Sequence, residues 1–479
     1  MSLKKQAVSG VKWNFLQQIS VQAINFAVQI ILARLLMPEE FGLIAMIIVF
    51  IAVGHTLTDS GMTSSLIRTE NPTELDYSTV FVTNLAVSIF IYGVVYLTAP
   101  YIAGFYNQKI LEDIIRLLSL TFIIRALFAV HIAKLTKEMN FKLQMQLHIP
   151  PTLISGALAV YLAFIGYGVW SLVWLNLLQA VICALLFWLF AGWRPKLSFS
   201  KKNFNYHFIF GYKLTLSSLL NTIYDNSYRI VIGKMYSPAT VGFFNLAETM
   251  RLFPVQQISA VLGKVTYPLF ASINNDDVRL KEVYRLSMKF VLFIVIPLML
   301  SLILLAEEWF LVVFGEHWLP AVPLFQILAL ASIVRPISSY NLNILKVKGR
   351  SDLFLKLEII KKLLGVLAII FGLYFGITGL VISLVIHFLF TVIIDVYFSG
   401  VLISYSLFEQ FSDLKMLFYS GGLVYSIFYL IKQLTESYLG SNLLTIFIFL
   451  IFFNSFYYLI NLFFDRELWV TLKKIKKSS

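Results

Sequence analysis

LLSLTFIIRAL at 117–127 returns later in the chain as ILALASIVRPI at 327–337, which sets Arg125 against Arg335. The echo extends outward on both sides. Gly10, Lys12, Ala33, Arg34, Pro38 and Gly42 have counterparts in order at Gly211, Lys213, Gly233, Lys234, Pro238 and Gly242. Both copies lie in strongly apolar surroundings. Duplicated membrane-embedded halves are how many transporters build a site between two lobes. Transport is therefore the leading reading of the duplication.

Composition agrees. Apolar residues make up 59% of the 479, charged residues 13%, and mean hydropathy is +0.82, which excludes an ordinary set of soluble domains. Phe and Tyr are abundant, as expected where rings pack on lipid and settle at its interfaces. Counting apolar stretches of roughly 20 residues predicts about fourteen spanning helices. They lie near 11–36, 41–66, 77–98, 111–134, 147–165, 168–192, 209–235, 239–267, 285–305, 322–345, 353–375, 378–399, 415–434 and 442–464. Turn sequences such as MPEEFG, RTENPTELD, WRPKLSFSKK, INNDD and TESYLGSN separate them. No hydrophilic insert is long enough for a soluble catalytic or nucleotide-binding domain. The lone Cys183 allows neither an internal disulfide nor a cysteine metal cluster. The start, MSLKKQAVSGVKWNFLQ, shows no cleavage site and reads as a retained first span.

The net charge of +13 suggests a nucleic-acid partner until its location is considered. Lys4, Lys5, Arg68, Lys134, Lys137, Lys142, Arg194, Lys196, Lys201, Lys202, Arg279, Lys281, Arg285, Lys346, Lys348 and Arg350 fall on one side of the expected spans, and the other side shows little besides Lys109, Lys234 and Lys432. Lys473, Lys474, Lys476 and Lys477 of the tail join them, so both termini are expected in the cytoplasm. Nucleic acid is not an expected partner; the bilayer is. A six-span repeat is even, so both halves enter the membrane in the same direction. The expected fold is all-α and polytopic: a six-helix lobe at 1–200, a second at 201–405, and two accessory helices with a basic tail at 406–479. The accessory pair either guides a long substrate tail or serves packing and insertion.

An ionisable group near the bilayer centre costs roughly 2.5–3.5 kcal/mol, so it should face protein or water. The expected cationic cavity draws on Arg125, Arg229, Arg251, Arg335, Lys213 and Lys362, and the coupling or charge-pairing carboxylates are Asp59, Asp225 and Glu248. Asp225 and Arg229 are four apart and Glu248 and Arg251 three apart, spacings that put each pair on one helix face. These pairs read either as ligands of a hydrated cavity or as self-neutralised structural pairs. Arginine suits phosphate because its planar donors engage two oxygens together. Lys361 and Lys362 read either as cavity cations or as the amphipathic start of their span. Pro254 reads as a bend, mobile or static. His55, His131 and His387 lack ligand spacing and read as packed neutral side chains, and no metal site is expected.

With these residues in hand, the chain resembles the polysaccharide-flippase family of the multidrug/oligosaccharidyl-lipid/polysaccharide exporter superfamily. It is most similar to the branch with colanic-acid and teichuronic-acid exporters. The likeness is carried by SGVKWNFLQQ (9–18), ILARLLMPEEFGLIAM (31–46), LTDSGMTSSLIR (57–68), DNSYRIVIGKMYSPATVGFFNLAETMRLFPVQQIS (225–259) and VVFGEHWLPAVPLFQILAL (312–330). It fades after about residue 400. The resemblance implies two six-helix lobes flanking a central cavity, formed mainly by spans 1, 2, 7 and 8. It implies flipping of an undecaprenyl-pyrophosphate-type lipid-linked oligosaccharide across a bacterial inner membrane by alternating access. A polysaccharide polymerase and chain-length machinery are the implied partners. No cofactor is implied, and coupling to a proton or sodium gradient is left open. Carried over by position, Asp59, Asp225, Arg229, Glu248 and Arg251 fall on the cavity helices.

Two other readings compete. A cation-coupled multidrug exporter of the same superfamily would favour a cavity dominated by carboxylates and aromatics, whereas here basic groups in the spans at least equal the acids. A membrane polymerase would need a sizeable outer loop with catalytic groups. The longest outer loop, around 306–321, offers only Glu307, Glu308, Glu316 and His317, so no enzyme is expected.

Overall fold

The computed structural model describes residues 3–435 and 443–465, and every regular element among them is helical. The tail lysines 473, 474, 476 and 477 and residues 436–442 of the TESYLGSN turn lie outside the described residues. Seventeen α-helices are described. They are α1 (Leu3–Leu35), α2 (Pro38–Asp59), α3 (Met62–Arg68), α4 (Glu74–Tyr106), α5 (Ile110–Lys137), α6 (Phe141–Phe164), α7 (Val169–Phe190), α8 (Lys201–Asp225) and α9 (Ser227–Met235). There follow α10 (Pro238–Ser272), α11 (Asp277–Leu304), α12 (Ala306–Phe314), α13 (Val322–Val347), α14 (Ser351–Leu373), α15 (Gly376–Leu402), α16 (Leu407–Thr435) and α17 (Leu443–Phe464). A 3₁₀ turn, Glu316–Ala321, leads into α13.

The chain reads as a multi-pass membrane protein. Eleven described helical segments are long and apolar enough to cross a bilayer. The stretches expected to span at 209–235, 239–267 and 353–375 are helical but not among the eleven. They carry Lys213, Asp225, Arg229, Glu248, Arg251, Lys361 and Lys362 of the charges singled out above. Two expected spans are also broken. The stretch 41–66 divides at Ser60 and Gly61, both in the left-handed region at φ 47° and 63°. The stretch 209–235 divides at Asn226.

Helix starts follow local chemistry. Pro38 opens α2 where no backbone donor is required, and Glu40 reaches back to accept from the Met37 N–H at 2.7 Å. Thr73 and Asp76 form a reciprocal capping box on α4. Asp276 accepts from the Arg279 N–H at 3.0 Å to start α11.

The chain divides into two compact units, Met1–Gly242 and Phe243–Ser479. In the first, α5 packs on α4 and α7, α6 packs on α1 and α7, and α2 lies against α4, α5 and α8. Helices α8 and α9, which the repeat assigns to the second half, thus pack in the first unit. A buried core of Met62, Leu66, Tyr77, Phe81, Val130 and Trp193 closes one end. The Trp193 indole donates to Glu74 at 2.7 Å, while Lys134 stands over its ring, the amphipathic anchoring expected at a membrane boundary. Nearby, His207 is fully buried between the Ser65 hydroxyl at 2.8 Å and the Asp76 carboxylate at 3.2 Å, joining α3, α4 and α8.

In the second unit, α13 packs on α11 and α15, and α14 packs on α15. Helices α16 and α17 pair with each other and dock on α11. Ser420 and Asn461 exchange hydrogen bonds between them in a buried position. Gly421 lets α16 approach closely: an added Cβ would lie 2.8 Å from Ile296.

Candidate functional site

The wall of the site starts with the break in α2. Its last residue, Asp59, accepts from the Thr63 hydroxyl at 2.6 Å. Gly61 follows because α8 passes too close for a side chain: a Cβ there would meet the Gly211 carbonyl oxygen at 2.5 Å, and its φ is positive. The turn leaves the Asp59 carboxylate exposed beside α4 and α5.

A cavity of about 460 Å³ opens here within the first unit. Five helices supply its polar lining: His55 and Asp59 from α2, Asn84 from α4, Arg125 from α5, His148 from α6 and Gln179 from α7. Ala126, Ala129 and Ala180 leave the space that larger side chains would fill. Arg125 also lines a second cavity of about 210 Å³ with His55, Thr121 and Asn176, so its guanidinium stands between two hollows. Among the described residues nothing forms a hydrogen bond or ion pair with Arg125, and the side chain is exposed to the cavity. Around it the other groups are partly engaged. His55 Nε2 lies 3.3 Å from the Thr121 hydroxyl, and Gln179 donates to Thr152 at 3.1 Å. Ser60 donates to Asn84 Oδ1 at 3.1 Å, while the buried Asn84 Nδ2 has no partner among the described residues. A donor left unmade in a buried place is costly unless a ligand or water completes it. One permanent cation, two imidazoles, two amides and one carboxylate thus converge on a single hollow inside the apolar bundle.

The other sequence-predicted groups are placed elsewhere. Arg251 is 4% exposed and locked: its guanidinium holds Glu248 through two bonds of 2.6 and 2.7 Å and donates to Ser332 at 3.1 Å. The i,i+3 pairing expected on one face is present, in its structural form. Between Asp225 and Arg229 the helix is interrupted, since α8 ends at Asp225 and α9 begins at Ser227. Arg229 donates to Asn226 Oδ1 at 2.8 Å across the break. Lys213 is exposed on α8 beside the Tyr212 ring. Arg335 is half-buried on α13 and lies outside the lining of the cavity formed by α11, α13 and α16, to which its neighbours Ile333 and Val334 contribute. Lys362 is half-buried on α14.

Sequence reasoning passed over Asn84, His148 and Gln179, and took His55 for packing. An amide in an apolar span was the available signal, but nothing local says whether it meets another helix or a hollow. It also passed over Asp395, which is fully buried on α15.

Residues 31–323 match the family model described as "Polysaccharide biosynthesis protein", a stretch that includes every residue named as lining the Arg125 cavity. The chain belongs to this family. Among curated relatives, the lipopolysaccharide biosynthesis protein WzxC of Escherichia coli is 26% identical over 78% of this chain and 76% of its own. The succinoglycan biosynthesis transport protein ExoT of Rhizobium meliloti is 26% identical over 70% of this chain and 68% of its own. Among solved structures, the lipid II flippase MurJ in an inward closed conformation superimposes with a TM-score of 0.74. That match covers 94% of this chain and 99% of MurJ at 17% identity, which establishes a shared fold. The all-α, multi-pass membrane architecture expected for this polysaccharide family is therefore present.

Proposed function

We propose that this family member flips a lipid-pyrophosphate-linked oligosaccharide, a polysaccharide repeat unit, between membrane leaflets. The observation that carries the reading is Arg125, a guanidinium with no hydrogen-bond or ion-pair partner among the described residues, facing a polar hollow inside a membrane-spanning bundle. A permanent cation held there without a protein counter-ion is expensive unless an anion visits it. Its planar donors fit two phosphoryl oxygens, and the amides of Asn84 and Gln179 suit sugar hydroxyls. Relatives named for lipopolysaccharide synthesis and succinoglycan transport, and the fold of a lipid II flippase, support the same class of cargo.

The bodies that rock are the repeat halves, 1–200 and 201–405, by alternating access. A second cavity, about 600 Å³ and lined by Ile296, Leu300, Leu330, Phe418 and Tyr425, is almost wholly apolar and suits a polyprenyl tail of undecaprenyl type. This gives α16 a role beyond packing. The setting is a bacterial inner membrane with both termini cytoplasmic, and the exported unit passes to a polymerase and its chain-length machinery. A cation-selective drug exporter fits less well, since one carboxylate, Asp59, faces Arg125 and two imidazoles in the hollow. The test is a liposome assay comparing flipping of an undecaprenyl-pyrophosphate-linked sugar with uptake of a cationic dye. Dye transport without lipid flipping would reverse the assignment.

A further inference from the structure

The second unit holds a charge cluster that cargo binding leaves unused. Lys361 of α14 is 7% exposed, and its ammonium lies 2.5 Å from Glu358 Oε1 one turn back. The same ammonium lies 3.1 and 3.4 Å from the two carboxylate oxygens of Asp395 on α15. Asp395 is fully buried and also accepts from the Ser338 hydroxyl, so it ties α13, α14 and α15 together. His387 of α15 donates from Nε2 to the Lys361 carbonyl at 2.9 Å, which fixes the lysine backbone. The helices packed here also carry Asp352, Lys356 and Lys362 on α14, Arg335, Tyr340 and Lys346 on α13, and Tyr397 on α15, with Tyr284 on α11 within electrostatic reach of Asp395.

Two carboxylates share one ammonium. Lys361 occupies the point where their oxygens converge, so a tethered cation already fills the place that a sodium ion would take. What the geometry leaves exchangeable is a proton. Asp395 has no exposed surface, whereas the Glu358 side chain is 29% exposed. Resting on the export reading above, we propose that Glu358, Lys361 and Asp395 form the proton-exchange site that drives transport. Glu358 takes a proton from water onto a carboxylate oxygen, Lys361 then serves Asp395 alone, and the proton returns to water when the cluster re-forms. The change in how Lys361 is shared alters the tie among α13, α14 and α15.

The test uses the full chain in liposomes enclosing a pH-sensitive dye, with the undecaprenyl-pyrophosphate-linked sugar pool extracted from host cells as probe. The expected result is proton flux that tracks flipping, flipping that responds to a pH gradient, and no response to a sodium gradient. Glu358→Gln should lose both the proton flux and the response. Asp395→Asn alone strands Lys361 and is expected to fold poorly, so the neutral pair Lys361→Gln with Asp395→Asn serves as the second variant and should also lose the response. Sodium-driven flipping, or wild-type proton flux in Glu358→Gln, overturns the proposal. If the wild type moves no probe at all, the cargo reading fails, and the site is judged without cargo. Hydrogen exchange in α13–α15 of the purified protein should change on acidification in the wild type and not in Glu358→Gln. Equal behaviour of the two overturns the site.

Discussion

Replacing Gly42 by alanine should obstruct a helix contact that the chain makes with its own repeat. Pro38 and Gly42 open α2, Pro238 and Gly242 open α10, and within the first unit the two segments meet reciprocally. A Cβ on Gly42 would lie 1.7 Å from the Pro238 carbonyl oxygen, and one on Gly242 would lie 2.0 Å from that of Pro38. Ordinary contact begins near 3.4 Å, so Gly42→Ala requires the backbones to part by about 1.7 Å, the difference between 3.4 and 1.7 Å. Neither oxygen is the end of a flexible side chain, so the strain cannot be relieved by a rotamer. Overpacking of this kind costs about 1–3 kcal/mol, while alanine gains about 1 kcal/mol over glycine in a helix interior. The net effect at Gly42 should be destabilising. Gly93, in the interior of α4 with nothing within 4 Å of its notional Cβ, should show the helix gain alone. Thermal unfolding in detergent should therefore rank Gly93→Ala at or above the wild type, then Gly42→Ala, then the Gly42→Ala/Gly242→Ala pair. Flipping should fall in the same order if this contact must close during transport. Wild-type melting and export in the double variant would refute the close-contact argument.

Other perturbations separate binding from architecture. Arg125→Ala should lose flipping with little change in melting temperature, because no protein hydrogen bond is removed; a coincident loss of stability would mark Arg125 as structural. Arg251→Ala should do the reverse, costing about 3–5 kcal/mol by leaving Glu248 unpaired, while joint replacement of both by neutral residues should cost much less. A double-mutant cycle on melting temperature checks this, and simple additivity would contradict the pair. His207→Ala deprives the buried Ser65 and the partly buried Asp76 of their shared partner and should cost about 1–3 kcal/mol. Faster hydrogen exchange in α3 is the expected signature, and an unchanged α3 would show that the triad does not hold it.

Much of the site was legible residue by residue and little of it as a set. Arg125 stood out because a lone guanidinium in an apolar span demands water or a counter-ion, and the fold supplies a hollow. The helical spacing of Glu248 and Arg251 predicted their pairing, since three residues on one helix is a local distance. The same rule assumes one helix through Asp225 and Arg229, whereas α8 ends at Asp225 and α9 starts at Ser227. Lys361 was visible, but its partner Asp395 lies 34 positions away on another helix. Sequence separation carries no information about that meeting.

Composition, hydropathy and the internal echo suffice for a duplicated all-helical membrane protein, because a bilayer forces each span to satisfy its own backbone and each apolar run to be long enough. Those are properties of contiguous residues. Which buried charge is neutralised and which is left facing a hollow depends on side chains from four or five helices arriving at one point. The chain shows that Arg251 has an acid one turn back and Arg125 has none, but only packing brings Ser332 to Arg251 and sets Arg125 facing a hollow.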